Sequence, residues 1–393
     1  MKKVIITDLL ILAVFGSTCF WSVKKDRLTA LVDKILTEQT SEDEEILVLT
    51  SSNLAKKNGR IGETQMSENA DKASEENTTK DYIKWVDFTV SKFALTESYE
   101  YDRDTYGMDR HISWIDLLAW TAAHTGGKFG DDRTVCKCME ELEMEAEAGK
   151  KLEELTEDLE YFPYYREVYE TVLGGMVGEY EIEEPDAQGR KVTQKRYGLK
   201  AFHPIAKGFP YTDYDDFGAS RSYGYRREHL GHDMMGQVGT PVVCVESGYV
   251  EALGWNQYGG WRIGIRSFDK KRYYYYAHLR QGFPYQPELK EGSVVLAGDV
   301  IGYMGHTGYS TKEDVNNIDQ THLHVGMQLI FDESQKDSDN EIWIDCYQII
   351  GFLYRNQSET ARNDETKEWR RIYEMKDPAA EKYERTLDFS MYP

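Results

Sequence analysis

The sequence predicts a multi-domain chain: an N-terminal transmembrane helix, a small α-helical domain and a C-terminal all-β domain. Three observations carry that reading. Residues 4–23 form one mostly apolar run, residues 81–178 carry helix start and stop signals, and after Glu179 the pattern changes to short runs rich in Gly, Val, Ile and Tyr. At roughly 100–200 residues per domain, a chain of 393 residues has room for two or three domains.

The apolar run comes first. Its 20 residues, VIITDLLILAVFGSTCFWSV, contain a single charge, Asp8, and match the length a helix needs to span a bilayer. A secretory signal would be shorter and would end in a small-x-small cleavage site, whereas this run ends in Phe20-Trp21 followed by Lys24-Lys25. An uncleaved anchor over residues 1–27 is therefore expected. Gly16-Ser17-Thr18 before Cys19 does not match the sequence that precedes a lipidated cysteine. Lysines flank both ends of the run, so charge bias alone does not orient it. Residues 28–80, dominated from residue 38 onward by Ser, Glu, Asn, Thr and Lys, read as a flexible acidic stalk.

The helical domain is expected over residues 81–178. Ser113-Trp114-Ile115-Asp116 has the form of a helix start, Leu117, Leu118, Trp120, Ala122 and Ala123 continue it, and Gly126-Gly127 stop it. Two further helices are expected, over residues 135–151 and residues 164–173. Cys136 and Cys138 on a helix point about 200° apart, which is awkward for one metal ion. His111 and His124 have no partner motif nearby, so structural roles are expected for both.

From residue 179 to 335 the reading is all-β. A charged hairpin turns at Ala187-Gln188-Gly189, and glycine-punctuated β-type runs follow, including Pro241-Val242-Val243, Gly248-Tyr249-Val250 and Val300-Ile301-Gly302-Tyr303. Residues 336–393 read as a terminal helix, over residues 342–356, and a charged tail.

Net charge excludes one class of partner. With 47 basic against 69 acidic residues and a net charge of -22, no nucleic acid binding is expected, because phosphate binding needs a basic surface. The five cysteines are too few and too scattered for a disulfide framework.

Five of the nine histidines fall in three clusters within the β region: His229-Leu230-Gly231-His232-Asp233, Tyr276-Ala277-His278-Leu279 and Thr321-His322-Leu323-His324-Val325. Side chains at i and i+2 of a strand share a face, so His322 and His324 project together. Zinc accepts imidazole nitrogen and carboxylate oxygen, and a catalytic zinc takes three protein ligands and keeps one position for water. The clusters supply more candidates than three. Surplus imidazoles, which titrate near neutral pH, can carry protons.

With Gly239-Thr240-Pro241-Val242, Glu291-Gly292, Ala297-Gly298-Asp299-Val300-Ile301-Gly302 and Gly305-His306-Thr307-Gly308-Tyr309-Ser310 between them, these clusters resemble the M23 family of zinc metallopeptidases, the lysostaphin and LytM-like peptidoglycan endopeptidases. The resemblance covers residues 223–329. It implies an M23 (LytM/lysostaphin-like) catalytic domain with Zn2+ held by His229, Asp233 and His324, with His278 and His322 as the catalytic pair and with Tyr223 assisting at the oxyanion. His232, His203 and His306 match no site position. The implied activity is a membrane-anchored, zinc-dependent endopeptidase acting on peptidoglycan peptides in cell-wall remodelling, with the catalytic domain on the extracytoplasmic side of a single-pass anchor in the cell membrane. Partners in the cell-wall, division or sporulation machinery are compatible with it. Two other readings stand beside it: a non-hydrolytic M23-like scaffold or regulator, and a zinc carboxypeptidase that releases terminal D-alanine.

Two departures from the family pattern are visible. Residues 311–320 (TKEDVNNIDQ) separate the Gly-Tyr-Ser block from His322, a loop expected to alter substrate choice or gate access, and Val325-Gly326 stands where Phe-Glu is frequent. In the run Tyr273-Tyr274-Tyr275-Tyr276, alternation puts Tyr274 and Tyr276 on the face of His278; one pair packs the core and the other lines the groove.

Overall fold

The structure, a computed structural model, describes residues 82–223, 225–336 and 338–390. The predicted transmembrane run and stalk lie outside the described residues. Among the described residues no helix is long and apolar enough to cross a membrane.

Five helices open the described chain: α1 (Lys92–Thr105), α2 (Trp114–Thr125), α3 (Asp132–Glu147), α4 (Leu152–Thr156) and α5 (Phe162–Leu173). The boundaries of α2 follow from its ends. Ser113 Oγ accepts the Asp116 N–H and donates in return to the Asp116 carboxylate, while Gly126 takes the left-handed conformation at φ 62° and closes the last turn. Every residue from Trp114 to Ala122 is buried, as expected of a helix that is apolar all round, and α1, α3 and α5 pack about it.

On acidic α3, burial pushes the Glu143 carboxyl up to about 7, with Glu140, Glu147 and Glu97 adding to the rise. The folded state therefore holds an extra proton between the ordinary glutamate range and pH 7. The stability this proton confers is complete below about pH 4.3 and lost as pH rises through 7. Glu143→Gln should consequently stabilise the protein by about 1–2 kcal/mol at pH 8 and by almost nothing at pH 4, measured by denaturant titration at both pH values; equal effects at the two would refute it.

The strands are β1 (Val177–Pro185), β2 (Lys191–Leu199), β3 (Thr212–Asp213), β4 (Ser220–Tyr223), β5 (Tyr225–Glu228), β6 (His232–Met235), β7 (Pro241–Val243), β8 (Gly248–Asn256), β9 (Gly260–Ser267), β10 (Arg272–Ala277), β11 (Val294–Val295), β12 (Val300–Tyr303), β13 (His322–Leu329) and β14 (Ile342–Ile344). The main sheet runs in the order β11, β8, β9, β10, β13, β6, β3, and β14 pairs with the C-terminal half of β13. All its pairings are antiparallel. The predicted hairpin is β1 with β2.

A single apolar cluster runs from Leu95, Leu117 and Val172 on the helices to Ile263, Tyr276, Leu323 and Val325 on the sheet. The boundary expected near residue 178 is thus crossed by one core, and the helices form a layer over the sheet. Arg272 fastens the two. Its guanidinium donates to the Thr171 carbonyl at the end of α5 (2.6 Å) and to Glu246 (2.7 and 3.0 Å).

The C-terminal expectation needs correction. Residues 342–344 form an edge strand because Ile342 and Ile344 find partners along β13, and the helix that follows, α6 (Tyr347–Leu353), is only seven residues long. Beyond it the expected charged tail is folded. It contains β15 (Thr360–Arg362), β16 (Trp369–Arg371), β17 (Met375–Lys376) and α7 (Pro378–Ser390), and β17 adds a third strand beside β1.

Candidate metal centre

His322 and His324 stand on β13, two residues apart and on one face, as the strand period requires. Asp233 on β6 is the direct cross-strand partner of His324. Just before β6, the turn at His229 brings a third side chain to the same point. His229 Nε2 lies 2.9 Å from His324 Nδ1 and 3.0 Å from Asp233 Oδ1, and His324 Nδ1 lies 2.9 Å from Asp233 Oδ1. Gly231 makes that convergence possible, since a Cβ there would sit 2.6 Å from His324 Nε2.

The atoms suit a cation. His229 Nδ1 faces only oxygen acceptors of Asp216, the backbone carbonyl at 3.2 Å and Oδ1 at 3.3 Å, so the proton resides on Nδ1 and Nε2 presents a bare lone pair. Two imidazole nitrogens and a carboxylate oxygen then meet with at most one proton among them. Donors about 3 Å apart are what an ion with bonds of about 2.0–2.2 Å to nitrogen and oxygen spans. Among the described residues this is the one group of three His, Cys, Asp or Glu side chains close enough to hold a metal ion.

The other two histidines of the clusters adjoin it. His278 and His322 have ring centroids 4.6 Å apart, and His322 Nε2 lies 3.8 Å from Asp233 Oδ1. His278 Nδ1–H donates to the Thr307 carbonyl (2.9 Å) and His322 Nδ1–H to the Gln320 carbonyl (2.8 Å). Each therefore has Nε2 free as a base. All five side chains line a cleft of about 810 Å³.

Residues 227–338 match peptidase family M23. This part of the chain is an M23 peptidase domain. An L-Ala--D-Glu endopeptidase of Bacillus subtilis (strain 168) is 42% identical over 124 residues, covering 32% of this chain and 36% of the relative. Lysostaphin of Staphylococcus simulans is 39% identical over 84 residues, 21% of this chain and 16% of the relative. The chain thus spans about a third or less of the length of these relatives. A solved lytM-type glycyl-glycine endopeptidase structure from Ruminococcus gnavus shows 23% identity with a TM-score of 0.46, covering 69% of this chain and 90% of that one.

Within the M23 domain the electrostatics are strongly coupled. Burial opposes ionisation of Asp233, but its close contacts with His229 and His324 and the nearby His324 and His322 rings outweigh it and hold its carboxyl well below the ordinary range. Burial, with His322 and His324 nearby, pushes His278 well below the ordinary imidazole value, which keeps it neutral with its Nε2 lone pair unprotonated.

His278 also resolves the tyrosine pairs. Its backbone is left-handed, φ 61°, an uncommon conformation for a residue other than glycine and one that recurs at functional sites. Strand alternation is broken there, and the imidazole joins the cleft face with Tyr273 and Tyr275. Tyr274 and Tyr276, which alternation had put with His278, are buried in the core at 2% and 0% exposure.

The two departures from the family pattern have structural counterparts. At Gly326 a Cβ would lie 2.7 Å from the Trp343 ring, so the glycine lets Trp343 of β14 lie over the sheet, edge-on to Tyr275 with centroids 6.2 Å apart. The loop of residues 311–320 is tied to the segments that flank it. Asp314 accepts from Trp261 Nε1 (2.7 Å) and the Gly282 N–H (2.8 Å), and Ile318 O accepts from His306 Nδ1 (2.8 Å).

Other histidines are occupied elsewhere. His232 pairs with Asp213 at 2.9 Å, His203 is buried against Ile205, and His111 pairs with Asp102 at 2.8 Å. Tyr223 ends β4, and its side chain lies outside the described residues. Sequence reasoning missed Asp216 and Arg221. Arg221 bridges the carboxylates of Asp216 and Asp233, the latter at 3.4 Å through Oδ2, which leaves Asp233 Oδ1 to face the histidines. Neither residue carries a motif, because their coupling is made by the fold.

Proposed function

We propose that the chain is a membrane-anchored, zinc-dependent endopeptidase that hydrolyses peptide bonds in bacterial peptidoglycan. The convergence of His229, Asp233 and His324 beside the two imidazoles of His278 and His322 in an open cleft carries this reading. The M23 match and the names of the relatives, an L-Ala--D-Glu endopeptidase and a glycyl-glycine endopeptidase, support a peptide substrate of the cell wall. The apolar run of residues 4–23 supports an anchor, and a substrate outside the membrane implies a cytoplasmic N-terminus and an extracytoplasmic catalytic domain.

His229, Asp233 and His324 would hold Zn2+, which when bound supplies Lewis acidity to the scissile carbonyl and to an attacking water. The remaining work falls to the chain's own groups. With Nδ1–H committed to a carbonyl in each case, Nε2 of one of His278 and His322 takes the proton of the water. The other imidazole acts when protonated at Nε2, from which it hydrogen-bonds the oxyanion or hands a proton to the leaving amine. Tyr275, Trp343 and Tyr309 give the peptide apolar and hydroxyl-bearing walls, and Tyr223 is assigned an assisting role at the oxyanion.

Digestion of purified peptidoglycan by the full chain with zinc tests the reading. New amino termini within cross-linked peptides are expected. Release of terminal D-alanine alone would identify a carboxypeptidase, and zinc binding with no product would favour a scaffold.

A further inference from the structure

Buried arginines in the main sheet are matched by carboxylates. Arg266, 0% exposed, pairs with Glu251 (3.5 Å) and Glu333 (2.8 Å), and Arg272, 1% exposed, pairs with Glu246 and Asp269, each at 2.7 Å. Two arginines of the cleft depart from this. Arg262 on β9 and Arg227 on β5 both line the cavity that holds the histidines, and neither forms an ion pair with a carboxylate among the described residues. They stay unmatched in a chain with 69 acidic residues against 47 basic ones.

Part of their hydrogen-bonding capacity is also unused. Arg262 Nη1 and Arg227 Nε are buried with no partner. Arg227 is held in position by aromatic contacts, its Nη2 donating to Tyr309 OH (2.6 Å) and its guanidinium lying 5.2 Å and 5.4 Å from the Tyr309 and Tyr258 ring centroids. Both positive charges bear on the Tyr275 hydroxyl, opposing the rise that burial imposes on it. An unpaired buried N–H on a charged group is costly, and the group that relieves it best is a planar carboxylate, which the guanidinium fork can bind through two parallel hydrogen bonds.

The location is close to the chemistry. Ala277 of β10 is the cross-strand partner of His324, and β9 is the next strand beyond β10. Two strand spacings are about 10 Å, which two or three residues of extended peptide cover, and the arginine side chain shortens that gap.

We propose that Arg262 and Arg227 form a subsite for a free carboxylate carried by the peptide within a few residues of the scissile bond, so that the cleft selects anionic peptides over uncharged glycine chains. This rests on the endopeptidase reading and specifies its substrate class.

Binding and cleavage separate the two. The full chain carrying His322→Ala, with zinc, is titrated with two alanyl-γ-glutamyl peptides that differ only in a free α-carboxylate or its carboxamide. The acid is expected to bind about tenfold tighter, the value of one charge-assisted hydrogen bond, with the gap narrowing as salt rises. The gap should vanish when Arg262→Gln or Arg227→Gln is added, in variants whose melting temperature matches the parent. Equal affinity for the two peptides, no binding of either at millimolar concentration, or a gap that survives both substitutions would overturn the proposal. Hydrolysis is read on the unsubstituted chain. Cleavage of pentaglycine without selective binding of the acid overturns the subsite and leaves the endopeptidase reading standing, whereas selective binding with no cleavage of any peptide overturns only the endopeptidase reading.

Discussion

His229→Ala is expected to lower kcat/KM on peptidoglycan peptides by at least about a thousandfold, roughly 4 kcal/mol of transition-state stabilisation, and to reduce bound zinc in the same preparation. The substitution removes one of three donor atoms that lie 2.9–3.0 Å apart. Asp233 and His324 are left as a two-ligand site, too few for a tightly held ion. A milder result is expected at Asp216, whose oxygens fix the proton on His229 Nδ1. In Asp216→Ala the backbone carbonyl at 3.2 Å remains, so zinc affinity should fall about 10–100-fold, the usual effect of losing a group that orients a ligand. Metal analysis and steady-state kinetics on the two variants check both. Retention of zinc and activity by His229→Ala would show the site assignment to be wrong.

Arg272→Met carries the largest expected loss of stability. The guanidinium is buried among Glu246, Asp269 and the Thr171 carbonyl, and Glu246 Oε2 also accepts from Tyr274 OH at 2.7 Å. Removing the arginine strands a buried carboxylate, which costs about 3–5 kcal/mol. Replacing both partners, Arg272→Met with Glu246→Leu, should recover part of this loss, because no charge then remains to be compensated. Denaturant unfolding of the two variants makes the comparison, and a double variant less stable than the single one would contradict the account. Activity should fall with the single variant as well, since Arg272 begins the strand that delivers His278.

Periodicity and capping chemistry made some features legible in the sequence. Ser113 and Gly126 bound their helix as local rules require, and His322 and His324 share a face because strands repeat every two residues. His229 and Asp233 were another matter. Nothing in their spacing predicts that β6 pairs with β13 in the register that sets Asp233 against His324; the family resemblance supplied those positions. The left-handed turn at His278 defeats strand alternation, so the sequence pattern linked it to Tyr274 and Tyr276 when it lies with Tyr273 and Tyr275. Asp216 and Arg221 escaped notice because carboxylates and arginines are common in this chain and only the fold couples these two to the metal centre. The strands after residue 356 are two or three residues long and highly charged. Their partners lie far away in sequence, which leaves no local signal to read.

The strand Met375–Lys376 has a consequence for how the protein is made. Its partner, Ile182 and Glu181 on β1, leaves the ribosome roughly 190 residues earlier, and at about 5–20 residues per second the hairpin waits some 10–40 seconds with one edge open. Open edges invite pairing with neighbouring chains unless charge discourages it. Glu179, Glu181, Glu183 and Glu184 lie along that edge strand, so the acidity of this segment can serve as a guard during synthesis, keeping nascent chains apart until their own last strand arrives.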